Sequence, residues 1–151
     1  MKNLSIFSLS VLLILLFLPV QNLAQDIPYD EGTVWNLAFI RTAVNSTDDY
    51  LKGLKNTWEA NMKEAVKEGL IKSYKILLGS AANQEDYNII LLIEYENMAS
   101  FDPDPVKDKK WDAIEEKIKD KMQDEYEKTV SNYEVIRQWY GRKIMREIYL
   151  K

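Results

Sequence analysis

Asp86-Tyr87-Asn88-Ile89-Ile90-Leu91-Leu92-Ile93-Glu94-Tyr95-Glu96 sets five aliphatic side chains in a row between polar, aromatic and acidic ends. A run this short reads as a strand whose side chains point alternately to two apolar faces. Such a strand belongs in the middle of a sheet, with helices over one face and other cover over the second.

Working back from it, Leu70 to Ser80 reads as a neighbouring strand, and Lys72 and Lys75 suit a sheet edge. The polar stretch from Gly79 to Glu85 joins the two as a hairpin. Further back, Thr33 to Thr42 is rich in β-branched and aromatic residues and reads as the first strand. Trp35, Leu37 and Phe39 share one of its faces, and Asn36, Ala38 and Ile40 share the other. Helix cover is expected on the bulky face.

Between these strands, Asn45-Ser46-Thr47-Asp48-Asp49 is a helix start, since short oxygen-bearing side chains accept from free backbone N–H groups and acids suit the positive helix end. The same Asn45-Ser46-Thr47 triplet matches a glycosylation acceptor, a three-residue pattern that a cap explains as well. Leu51, Leu54, Trp58, Met62, Ala65 and Val66 follow at spacings of three and four, predicting an amphipathic helix of about five turns. Gly69 is its expected stop.

Beyond the central strand, Asn97 to Pro105 is irregular, because its prolines remove donors and disfavour helix in the residues before them. Asp104 as cap and Pro105 in the first turn open a second helix. Its stripe is Trp111, Ile114, Ile118, Met122, Tyr126, Val130 and Tyr133, and Glu115 with Lys119 is a favourable pair one turn apart. A coiled coil is the alternative for this stripe, but it spans only about three heptads. Gln138 to Lys151 reads as a fourth strand, with a helical end as its alternative.

Residues 1–24 stand apart. Lys2 precedes an apolar run from Ile6 to Leu18, closed by Pro19 and followed by Asn22-Leu23-Ala24. This predicts a signal peptide cleaved after Ala24 and a single exported domain over 25–151, periplasmic or secreted. An uncleaved anchor is the alternative, but the run is about 13 residues where a span takes roughly 20. Loss of Lys2, the segment's sole charge, takes the net charge from −4 to −5. That acidity gives no reason to seek nucleic acid or, after cleavage, an anionic membrane. The chain has no cysteine, so its core stands without disulfides, and no histidine, which removes the commonest general base and metal ligand.

The order β-α-β-β-α-β is the ferredoxin-like arrangement of the α+β class: a four-stranded antiparallel sheet in the order 4-1-3-2 with two helices on one face. Ile89, Leu91 and Ile93 then lie on one face of the central strand and Ile90 and Leu92 on the other, and helices cover one set only. A second copy, sheet against sheet, is the economical cover for the rest.

Trp35 to Thr42, the helix with Tyr50, Leu51 and Trp58, the hairpin around Tyr87 to Glu96 and the closing Arg142 to Leu150 together resemble the dimeric α/β-barrel superfamily. The antibiotic-biosynthesis monooxygenase-like, EthD-like and NIPSNAP-like proteins belong to it. The resemblance covers about residues 33 to 151 and rests on element order. It implies a homodimer enclosing a cleft for a small, mostly apolar ligand. Many members are cofactor-independent oxygenases, isomerases or haem-degrading enzymes. The lack of histidine sets haem ligation and histidine-based chemistry aside, and no cofactor is expected.

A pocket on the non-helix face would draw its polar groups from Asn36, Tyr74, Asn88, Glu94 and Arg146. Glu94, beside the aliphatic run, is the candidate base if its pKa is raised, and pairing with Arg146 or a solvated rim is the plainer alternative. Trp35, Tyr95, Trp139 and Tyr140 are candidates for an aromatic ligand wall or for plain core and dimer contact. Glu94, Glu96, Asp102 and Asp104 offer hard oxygen donors but match no calcium-loop spacing, so no metal site is expected. Binding of a small apolar ligand leads over a cofactor-free oxygenase or isomerase and over a purely structural role.

Overall fold

The computed structural model describes residues 27–151, so the expected signal segment lies outside the described residues. Strand β1 spans Tyr29–Thr42, followed by helices α1 (Thr47–Asn56) and α2 (Trp58–Lys67), then strands β2 (Ser73–Leu78) and β3 (Ile89–Tyr95). A short 3-10 turn at Met98–Phe101 leads to helices α3 (Pro105–Met122) and α4 (Asp124–Ile136), and strand β4 (Arg137–Leu150) closes the chain. The sheet order is β2-β3-β1-β4 with every pairing antiparallel, the ferredoxin-like order read from the other edge. The aliphatic run is an interior strand, and β2 with its lysine is an edge. Among the described residues no helix is long and apolar enough to cross a membrane.

Both expected helices are interrupted. The first breaks at Thr57 (φ −105°, ψ −85°), whose hydroxyl donates to the Gly53 carbonyl at 2.9 Å, the acceptor already used by the Thr57 backbone N–H. A side chain competing for the ladder in this way bends a helix. The second breaks at Gln123, which takes a positive φ of 53° and sends α4 off along a new direction. Their ends follow the sequence more closely. Gly69 closes α2 in the left-handed region at φ 69°. The Asp104 carboxylate accepts from the backbone N–H groups of Val106 and Lys107 at the start of α3. At the start of α1 no side-chain cap bond forms. Thr47 instead shares a 2.7 Å hydrogen bond with Thr42.

The helices lie on the opposite face of β1 from the one its bulk suggested. Val34, Ala38, Ile40 and Thr42 are buried beneath them, while Trp35, Leu37 and Phe39 face the open side and stay partly exposed. The reason is that α1 and α4 bring their own bulk: Tyr50, Leu54 and Tyr133 form one core cluster with Ala38, Ile40, Ile89 and Leu91. A second cluster joins Met62, Ala65, Ile71 and Ile114. As alternation requires, Ile89 and Leu91 are buried, and Ile90 and Leu92 lie with Trp35 and Phe39 on the open face.

Candidate functional site

A cavity of about 410 Å³ lies where the two core clusters meet, between the sheet's helix face and the four helices. Its floor is Asn36 and Ala38 of β1 with Leu91 and Ile93 of β3, the small residues of β1 leaving the space. The roof holds Leu54, Thr57, Trp58, Asn61 and Met62 from the first helical pair and Trp111, Glu115, Tyr126, Val130 and Tyr133 from the second. Strand β4 supplies one wall with Arg137, Trp139 and Arg142. Trp58, Trp111 and Trp139 are three of the chain's four tryptophans.

The helix break at Thr57 serves this site. Its hydroxyl shares a 2.7 Å hydrogen bond with Tyr133 Oη inside the protein. The Tyr133 ring meets Tyr50 edge-on at 5.1 Å, and Arg137 donates to Tyr50 Oη at 3.0 Å. Burial pushes the Tyr50 and Tyr133 hydroxyls above the usual phenol range, with Arg137 and Thr57 respectively pulling them partly back.

The wall from β4 depends on a bulge. Ala38 pairs with Arg142 and Phe39 with Gly141, but Ile40 pairs with Trp139, so Tyr140 is an extra residue in the ladder. Gly141 absorbs the distortion at φ 135°. Strict alternation would put positions 139 and 142 on opposite faces; the extra residue brings Arg137, Trp139 and Arg142 to the cavity side together. Both guanidiniums then lie near one indole ring, Arg137 at 5.7 Å and Arg142 at 5.8 Å from its centroid.

Asn36 lines this cavity, and its Oδ1 is buried with no hydrogen-bond partner among the described residues. The Asn36 side chain bonds the Tyr95 hydroxyl, and its Oδ1 has room for one further donor; a buried acceptor left alone costs about 1–3 kcal/mol. The other expected site residues are dispersed. Tyr74 is on the helix face, edge-on to Trp58 at 5.6 Å, with its hydroxyl toward Glu59. Arg146 pairs with Glu31 on the extension of β1. Asn88 is tied to Thr42 by bonds of 2.8 and 2.9 Å.

Glu94 is the candidate base only if its carboxyl is raised, and its surroundings shift it the other way. It lies on the open face and accepts from Ser73, and that bond, with Thr33, Lys72 and Lys75 adding, holds its pKa below the usual carboxylate range. Of the other carboxylates weighed for calcium, Glu96 pairs with Lys72 and Asp104 caps the start of α3. Of the four candidate wall aromatics Trp139 alone reaches the cavity. Trp35 is on the open face under Lys75, Tyr95 packs on Phe101 at 4.7 Å, and Tyr140 donates to the Gln84 carbonyl.

Sequence reasoning missed Arg137, Arg142, Thr57 and Tyr133 as site residues. Gly141 inside a strand pattern was the available signal for the two arginines, since an interior strand glycine often marks a bulge.

No protein-family model and no curated protein matches the chain. Solved structures similar to it include HapK from Hahella chejuensis, with 12% identity, 76% of this chain and 91% of that one covered, and a TM-score of 0.46. A dimeric protein of unknown function and ferredoxin-like fold from Bacteroides fragilis is 11% identical over 78% of this chain and 97% of that one, with a TM-score of 0.39. A dimeric ferredoxin-like protein from an uncultured marine organism is 15% identical over 81% and 90%, with a TM-score of 0.37.

Proposed function

We propose that this is an exported, homodimeric protein that binds a small, mostly apolar ligand, and that the ligand sits within each protomer, between helices and sheet. The carrying observation is the cavity itself: about 410 Å³, walled by Trp58, Trp111, Tyr126, Tyr133 and Trp139, with one buried acceptor, Asn36 Oδ1, left without a partner among the described residues. Ligand pockets of roughly 300–1,000 Å³ share this make-up, apolar walls with a few placed polar groups.

The open face supports the homodimer. Trp35, Leu37, Phe39, Ile90 and Leu92 lie there only partly buried, with Leu77 at 49% and Met145 at 53% exposure, a contiguous patch of the kind that marks an interface. A second copy set sheet to sheet covers it and leaves the cavity on the far side of each sheet. The cleft for the ligand therefore differs from the inter-sheet cleft expected from the sequence.

The test is a titration with N-phenyl-1-naphthylamine, an uncharged aromatic probe, followed through tryptophan quenching and probe emission. One saturable site per protomer is expected. Val130→Trp, which places an indole into the cavity from a position 37% exposed, should abolish it. Leu92→Glu on the open face should leave it intact. A site that survives Val130→Trp and disappears with Leu92→Glu would move the ligand to the inter-sheet cleft, and no saturable site would sink the reading.

A further inference from the structure

The chain is acidic, with 24 carboxylate residues against 20 lysines and arginines. Acidic side chains are therefore abundant as partners for its four arginines. Arg146 takes Glu31, and Arg41 donates to the Asp86 carbonyl. Arg137 and Arg142 differ. Neither meets a carboxylate within ion-pair distance among the described residues, yet the bulge at Tyr140 gathers both against the Trp139 ring, on the wall of an apolar cavity. With no carboxylate in place, the ring is the partner the two guanidiniums share, and an anion entering the cavity beside it meets two cations without a counter-charge. The carboxylate on the cavity wall, Glu115, is held by Lys119 at 2.7 Å from the roof side.

We propose that the ligand is a ring-bearing anion: its flat apolar part lies among the cavity aromatics, and its carboxylate or phosphate is received by Arg137 and Arg142 beside Trp139. The proposal rests on the cavity reading above and adds the chemical class of the occupant. The guanidinium fork suits both oxyanions, since each offers two oxygens in a matching plane. Arg137 is the anchored member, fixed by its bond to Tyr50 Oη and its place 5.0 Å from the Tyr133 ring. Arg142 is exposed and closes on the anion from the solvent side. Trp139, 47% exposed, is then the lip that the ligand ring covers on entry.

The test is calorimetric titration of the purified protein with 2-naphthoate, 2-naphthyl phosphate and the uncharged 2-naphthamide. At least one of the two anions should bind about tenfold or more tighter than the amide, the size of a charge-assisted hydrogen bond lost. Which anion leads separates a carboxylate ligand from a phosphorylated one. Arg142→Gln should remove that preference, bringing the leading anion down to the affinity that the same variant shows for 2-naphthamide. Because Arg142 makes no side-chain hydrogen bond or ion pair among the described residues, this variant remains informative even if Arg137→Gln, which loses the Tyr50 contact, does not fold. Equal affinity for the amide and both anions, or an anion preference that survives Arg142→Gln, would overturn the proposal. If all three compounds fail while N-phenyl-1-naphthylamine binds, the anion class is wrong and the cavity stands; if that probe fails too, the cavity reading falls first.

Discussion

Replacing Gly53 by alanine sets two effects of opposite sign against each other. Gly53 is inside α1, where alanine is favoured by about 0.8–1 kcal/mol in helix propensity. A Cβ there, however, would lie 2.7 Å from Tyr133 Oη, 2.8 Å from Tyr133 Cε1 and 3.0 Å from Thr129 Cγ2. Tyr133 has little freedom to yield, being 6% exposed and bonded to Thr57 at 2.7 Å. Overpacking of this kind costs about 1–3 kcal/mol, and weakening the buried hydrogen bond adds roughly 0.5–1.5 kcal/mol. Packing wins, and Gly53→Ala should destabilise by about 1–3 kcal/mol, a fall in Tm of roughly 3–10 °C. Thermal and urea unfolding followed by circular dichroism measure it. In a Tyr133→Leu background the same substitution meets no ring and should become neutral or stabilising, so the double-mutant cycle isolates the contact. An unchanged or higher Tm for Gly53→Ala in the otherwise native protein would refute the argument that α1 and α4 approach through the absence of a side chain at position 53.

Leu92→Glu, which places a charge in the centre of the open face, should convert a dimer to a folded monomer in sedimentation; a wild-type protein already monomeric at tens of micromolar would count against sheet-to-sheet pairing. Tyr50, Tyr95 and Tyr133 have pKa values raised above 10.0 chiefly by burial, so above pH 10 the native state keeps protons that the unfolded chain releases. Stability is therefore full below that pH and should fall as pH climbs beyond it; a urea midpoint constant between pH 9 and 11.5, with all tyrosinate absorbance appearing in the native protein, contradicts this.

The element order was legible where a boundary carries a local cause. Gly69 ends a helix by its backbone, Asp104 and Pro105 start one, and the run Ile89 to Ile93 has no stable place but inside a sheet. What alternation cannot tell is which face receives the helices. Both faces of β1 are apolar enough to be buried, and bulk alone pointed to Trp35, Leu37 and Phe39. The deciding quantity is the volume the helices bring, which the strand's own sequence does not contain. Nor does an ideal period of two predict that positions 139 and 142 share a face; one extra residue at Tyr140 reverses the alternation beyond it.

The misread face of β1 and the bulge in β4 have a common physical consequence, the cavity. On the helix side, β1 offers Asn36 and Ala38, too small to fill the gap beneath Trp58 and Trp111, and the bulge turns Arg137 and Arg142 toward that gap. A chain selected for packing alone would place larger aliphatic residues at positions 36 and 38 and keep its arginines in solvent or against its many acids, since unfilled volume and an orphaned acceptor both lower stability. Here the small residues, the broken helix at Thr57, the unpaired Oδ1 of Asn36 and the bulged strand all fall around one space. Their coincidence is explained if that space is occupied in the working protein, where the ligand supplies the missing packing, the missing donor and the missing negative charge.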